Sequence, residues 1–152
     1  MPNNPTVWAL VLNGAAAVLY RVNLSEKRLE PLPLEPSQRD PIPAHRDRPA
    51  RTFQSVGVKR GSGEDLHEAE KAVERRFILD VAQAVEAQAR EGHCDALILA
   101  CGPHCRGVAR AVAPEAFWKK VTREVVGDHV KTAPSELYPI MAEALRFGRP
   151  PN

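Results

Sequence analysis

Residues 97–106 read LILACGPHCR. An apolar run meets two cysteines and a histidine, with Gly102-Pro103 between the sulfurs. Such a stretch serves one of three ends: a dithiol redox site, a metal site, or a buried strand that turns into a helix. The choice decides the fold, because the third makes this segment a central strand of an α/β sheet. Thioredoxin-type sites hold two residues between their cysteines and follow an opening βαβ unit. Here Gly102, Pro103 and His104 make three, and no such unit precedes them, although a helix start beside Cys105 favours its thiolate. For a metal, Cys101, His104 and Cys105 are candidate ligands at knuckle-like spacing. Cys94, next to His93, belongs near the other end of the same strand, roughly 20 Å away at strand rise, and cannot share their ion. The set needs a distant fourth ligand such as His129, so neither metal nor other cofactor is assigned. Cysteine is also a small buried hydrophobe. The strand reading is the one that stands. Ala96 to Ala100 is unbroken apolar sequence, Gly102-Pro103 turns the chain out, and His104 to Val112 begins the return helix. Amides exposed at that turn offer a modest anion site.

Working outward, the segment upstream predicts a long helix. Asp65-Leu66-His67-Glu68 gives an Asp cap with an acid three residues on. Leu66, Ala69, Val73, Phe77, Val81, Ala84 and Gln88 then fall at three- and four-residue steps, one core-facing stripe that ends near Gly92. Downstream, Pro114 opens a short helix carrying Phe117, Trp118 and Val121. Thr122 to Val130 is a candidate strand, and Pro134 to Phe147 a closing helix with Leu137, Ile140, Met141, Ala144 and Leu145 inward. The tail 148–152 is expected to fray.

The opening is built differently. Val7 to Leu12 is an apolar strand, and Asn13-Gly14 before Ala15–Val22 is a hairpin signal for a type I′ turn. Leu29, Leu32 and Leu34 continue as a third strand, placed at an edge by Pro31 and Pro33, which cannot donate to a ladder. The expected order is β-β-β-α-β-α-β-α: one α/β domain over residues 1–152, with a five-stranded mixed sheet whose later strands pair in parallel.

The 152 residues fit one domain. Of the fourteen prolines, eight lie between Pro2 and Pro49, which favours extended chain and loops there. Net charge is only +2, but its distribution is uneven. Arg39, Arg46, Arg48, Arg51, Lys59 and Arg60 face only Asp40 and Asp47, while acids dominate from Glu64 to Glu91. A basic loop over about 35–64 thus precedes an acidic helix. Mutual neutralisation on a solvated surface is one reading, and a basic loop offered to phosphates or an acidic partner is the other. In DRPARTF, Asp47 can pair with Arg48 or Arg51 and order the loop around Phe53. Arg46, Arg48, Arg51, Lys59 and Arg60 can contact phosphates. Without interleaved aromatics the contact is to backbone or shape, not stacked bases. MPNNPTVW lacks a basic signal-peptide start, and Asn13-Gly14 breaks the first apolar run short of a membrane span. With an odd number of cysteines, this predicts a reducing, cytoplasmic setting.

Catalytic signatures are thin. There is no G-x-S-x-G elbow, and GSGED lacks the lysine and preceding strand of a phosphate loop. Metal-dependent nuclease chemistry wants carboxylates at strand ends, whereas the first strand ends in neutral Asn13. His67 and Glu68 are the acid/base candidates, on a helix expected to be solvated.

Several segments together resemble a known family. VWALVLNGAAAVLYRV, the D-R-P-x-R-x-F of Asp47–Phe53, the helix from DLHEAE, LILACGPHCRG and DHVKTAPSEL follow the order of the bacterial host attachment proteins, also called proteins required for attachment to host cells. That family is similar to the central domain of archaeal and eukaryotic class I release factors. The resemblance implies a ribonuclease H-like or ribosomal-protein-like sheet, and a loop before the long helix that in release factors carries Gly-Gly-Gln. Here the loop reads FQSVGVKRGSGED and lacks it, so peptidyl-tRNA hydrolysis is not expected. Family members commonly carry an acid where this chain has Asn13, and no cysteines where it has CGPHC. The expectation is a non-enzymatic module whose basic loop contacts ribosome, tRNA or other RNA. The alternatives are a host-attachment or protein-interaction factor and a hydrolase using His67 or Glu68. Oligomeric state is left open.

Overall fold

A computed structural model describes residues 5–41 and 58–147, with side chains along the long helix from Leu66 onward. The elements run β1 (Val7–Leu12), β2 (Ala17–Asn23), β3 (Arg28–Leu32), α1 (Val58–Glu91), β4 (Ala96–Cys101), α2 (Pro103–Val112), α3 (Glu115–Lys120), β5 (Val121–Val126) and α4 (Pro134–Phe147). They form a single α/β domain around one open five-stranded sheet in the order β3-β2-β1-β4-β5.

The apolar runs at residues 7–12 and 96–101 become neighbours at the centre. All six residues of β1 are buried, as are the last five of β4. Burial on both faces is what an unbroken apolar strand requires. β1 pairs antiparallel with β2 and parallel with β4, with Val7 opposite Ala96 and Val11 opposite Ala100. β5 adds in parallel to β4, with a register break between Leu97 and Ile98. β3 lies at the far edge beside β2, with Pro31 opposite Tyr20, where a missing donor does least harm.

The two faces have separate cores. Trp8, Leu10, Leu12, Leu97, Leu99 and Cys101 turn to one side, against Phe77, Ile78, Val81 and Val85 of α1 and the short helices. Val7, Ala9, Val11, Ile98 and Ala100 turn to the other, against Leu137, Met141 and Ala144 of α4. The two-residue side-chain period of a strand produces this division.

Three local expectations change. α1 starts at Val58, ahead of the anticipated Asp65 cap, so Gly61, Gly63 and Asp65 are helical backbone. Once a helix exists, each added residue gains a hydrogen bond, and this outweighs weak local propensity. The β1–β2 connection is not a two-residue type I′ turn: Leu12 pairs with Ala17, leaving four linking residues, and neither Asn13 nor Gly14 has positive φ. The Asn13 side chain bonds the backbone instead, an alternative open to asparagine in turns. α1 ends at Glu91, next to the expected Gly92, and it is His93 that takes the left-handed conformation, at φ 55°. Gly92 serves close packing, since a Cβ there would lie 3.0 Å from the Trp8 ring. Finally, β5 ends at Val126 rather than Val130, because Gly127 turns the chain at φ +144°.

Candidate functional site

Three parallel strands, β1, β4 and β5, finish on the same edge of the sheet. In open α/β sheets, ligands collect beyond the carboxyl ends of such strands. The residues that follow each strand here are Asn13, Gly102 and Gly127-Asp128.

Asn13 ties two of these ends together. Its Oδ1 accepts the amides of Ala15 and Ala16, both at 2.8 Å. Its Nδ2 donates to both oxygens of Asp128, each at 3.2 Å. Asp128 Oδ1 also accepts the Val130 amide at 3.2 Å, which curls the chain after β5. The α1 helix comes down onto the same edge. Glu74 Oε1 lies 3.1 Å from His104 Nε2, and the Glu74 carboxylate packs over Gly14. Below them Arg106 of α2 grips Glu124 of β5 through Nε–Oε1 and a second bond, Nη2–Oε2, at 3.2 Å. Nearby, His129 Nδ1 is 3.2 Å from the Thr132 hydroxyl.

Two buried thiols lie beneath this rim. Cys101 ends β4, and Cys105 is the third residue of α2. Hydrogen bonding to Cys101 keeps the Cys105 thiol protonated, and burial and the charges of Glu74 and Asp128 act the same way. The same bond lowers Cys101, against the opposing effects of burial and Glu124. Cys94 is separate. Burial pushes it up, and its thiol donates to the Ala96 carbonyl at 3.1 Å.

The carboxylates of this edge are engaged with one another's neighbours rather than gathered around a point. Among the described residues, no three His, Cys, Asp or Glu side chains stand together as a metal set. His104, a candidate ligand with Cys101 and Cys105, has its side chain 76% exposed and turned onto Glu74, while both sulfurs are buried. The turn at Gly102-Pro103 does lead from strand to helix, with Pro103 in the first helical turn.

Of the basic-loop residues, Arg46, Asp47, Arg48, Arg51 and Phe53 lie outside the described residues. Lys59 and Arg60 belong to the start of α1 as backbone. His67 and Glu68 are exposed on α1, and Glu68 is 3.7 Å from Lys71. A cavity of about 490 Å³ lies at the opposite end of the sheet, lined by Thr6, Val7, Arg21, Asn23 and neighbours. It does not adjoin His67.

Sequence reasoning did not single out Glu74, Asp128, Arg106 or Glu124. Glu74 had a signal: it precedes Ile78, Val81 and Val85 at helical spacing, so it is an acid on the stripe that the core buries. Asp128 follows Val126-Gly127 much as Pro103 follows Cys101-Gly102, an acid just past a parallel strand.

The fold and this edge define an α/β sheet protein whose parallel strands end in an acidic rim locked by an asparagine. The family model described as "protein required for attachment to host cells" matches residues 8–140, from β1 into α4, and the chain belongs to that family. No curated protein matches it. Among the described residues, no helix is long and apolar enough to cross a membrane.

Proposed function

We propose that the protein acts by binding, as a factor in the attachment of a bacterium to its host cell. The observation that carries this reading is the family match, which takes in residues of all five strands. The rim of Asn13, Glu74, His104 and Asp128 is the surface offered to a protein partner. The test is genetic and cellular. Deleting the gene should lower adherence to host cells, and a plasmid copy should restore it. Full adherence without the gene would end the reading. Fractionation of the same strain says whether the protein acts at the surface or from inside the cell.

A second reading is kept for the basic segment. Six cations against two acids lie between Arg39 and Arg60. Arg39 itself is fastened to the hairpin, its amide donating to the Ala15 carbonyl at 2.9 Å. Beyond the segment, α1 exposes Leu66, His67 and Glu68, and among its described side chains Phe77 is the first that is buried. A basic stretch of sequence leading into such a helix suits phosphate contacts with RNA. Co-sedimentation with ribosomes and filter binding to tRNA at two salt concentrations test it. Binding should weaken with salt and with Arg48→Ala plus Arg51→Ala.

A further inference from the structure

We propose that Cys101 and Cys105 are a dithiol that hydrogen peroxide converts to an intramolecular disulfide, joining the end of β4 to the first turn of α2. The placement carries the argument. Cys101 immediately precedes Gly102, the N-cap of α2, and Cys105 is the third helical residue. Side chains in a first helical turn tilt back toward the N-terminus, which aims the Cys105 sulfur at the strand end. Both cysteines are buried in the same core layer, each 4% exposed, and each shifts the other's ionisation, Cys101 down and Cys105 up. The peptide between them is at the surface: Pro103 and His104 are exposed, and the space beside Gly102 is open. A small neutral oxidant therefore has only the turn itself to pass.

The chemistry balances. Cys101 is the sulfur that ionises first, because Cys105 and Arg106 both favour its thiolate. That thiolate attacks one peroxide oxygen, the O–O bond breaks, and the departing hydroxide takes up a proton as water, leaving a sulfenic acid. Cys105 sulfur then attacks the Cys101 sulfur. The S–S bond forms, the S–O bond breaks, and the hydroxyl leaves with the Cys105 proton as a second water. Two thiols and one hydrogen peroxide become one disulfide and two waters. Cys94 does not take part, because β4 separates it from the pair and its thiol is turned onto the Ala96 carbonyl. This is a modification site on the rim, not a thioredoxin-type catalyst. The short loop that it closes ties down the junction below His104 and Glu74.

The test uses full-length Cys94→Ser protein, which keeps only this pair. Peroxide should remove both thiols, lower the intact mass by two hydrogen atoms, and leave a product that dithiothreitol returns to the starting mass. With Cys105→Ser added, oxidation should stop at a sulfenic acid that dimedone traps. Thiols that survive peroxide, oxygen addition without loss of hydrogen, or a disulfide between two chains would each overturn the proposal. If these variants do not fold, a trivalent phenylarsenical is applied to the unaltered protein. One arsenical per chain, blocked by prior peroxide, supports the pair, and no stable adduct overturns it.

Discussion

The Glu74 carboxylate fills the space that any side chain at position 14 would need, and its Cδ lies 3.0 Å from where a Cβ on Gly14 would stand. Gly14 is therefore fixed by a neighbour on α1, not by its own backbone angles. Gly14→Ala should push the end of the flexible Glu74 side chain off His104 and cost about 1 kcal/mol or less, since that side chain is what has to move. Glu74→Ala in the same chain should recover most of that loss. Urea unfolding of the two single variants and the double variant measures the coupling. Additive losses would mean that the contact does not constrain position 14.

Asn13 bonds two backbone amides and one carboxylate, so its two substitutions should differ in kind. Asn13→Ala loses all of these and should cost about 1–2 kcal/mol at any pH near neutrality. Asn13→Asp keeps the acceptor for Ala15 and Ala16 but sets a second negative charge against Asp128. Its penalty should be present at neutral pH and shrink in acid, as one of the facing carboxylates takes up a proton. Thermal unfolding of both variants from pH 7 to pH 4 distinguishes them. Parallel curves would count against the Asn13–Asp128 contact.

The sheet was legible because its signals are redundant. Apolar runs at 7–12 and 96–101 can only be central strands, and Pro31 and Pro33 can only be tolerated at an edge. The closing helix was readable to the residue, since Pro134 opens it and Leu137, Met141 and Ala144 repeat at helical spacing. What failed was local punctuation. Asn13-Gly14 reads as a type I′ turn, but side-chain bonding and the approach of Glu74 set its shape. Gly61 and Gly63 read as loop, but the helix propagates through them. The rim was only half legible. Asn13, Gly102 and His104 were named from their turns, whereas Glu74 and Asp128 matter through contacts thirty or more residues away in sequence.

Acid should loosen the outer hairpin through Glu30. Hydrogen bonds from Asn23 first, then Arg21 and Arg28, hold its carboxyl below the usual carboxylate range. A group lowered in the folded state contributes stability above its unfolded value and loses it as pH falls through the folded one. Glu30→Gln should therefore be less stable than the parent protein at pH 7, and the two should converge in strong acid. Denaturant midpoints across that range give the comparison. A difference that persists unchanged in acid would assign the effect to packing instead of charge.

Arg106 and Glu124 join α2 to the edge strand β5, with only 13% of the Glu124 side chain exposed and 33% of that of Arg106. Glu124 meets the guanidinium through both its oxygens, a planar fit that lysine cannot reproduce. Arg106→Ala leaves a largely covered carboxylate without its partner and should cost about 2 kcal/mol, less than for a fully buried pair because water still reaches the arginine. Arg106→Lys should recover only part of this. Removing both groups, in Arg106→Ala with Glu124→Ala, should cost less than the sum of the single changes, because no charge is then stranded. The cycle also has a local readout. Among the described residues β5 has no strand on its outer side, so the amides of Val125 and Val126 should exchange faster in Arg106→Ala than in the parent protein, while those of β1 hold. Equal exchange in both proteins would show that the pair does not secure this edge.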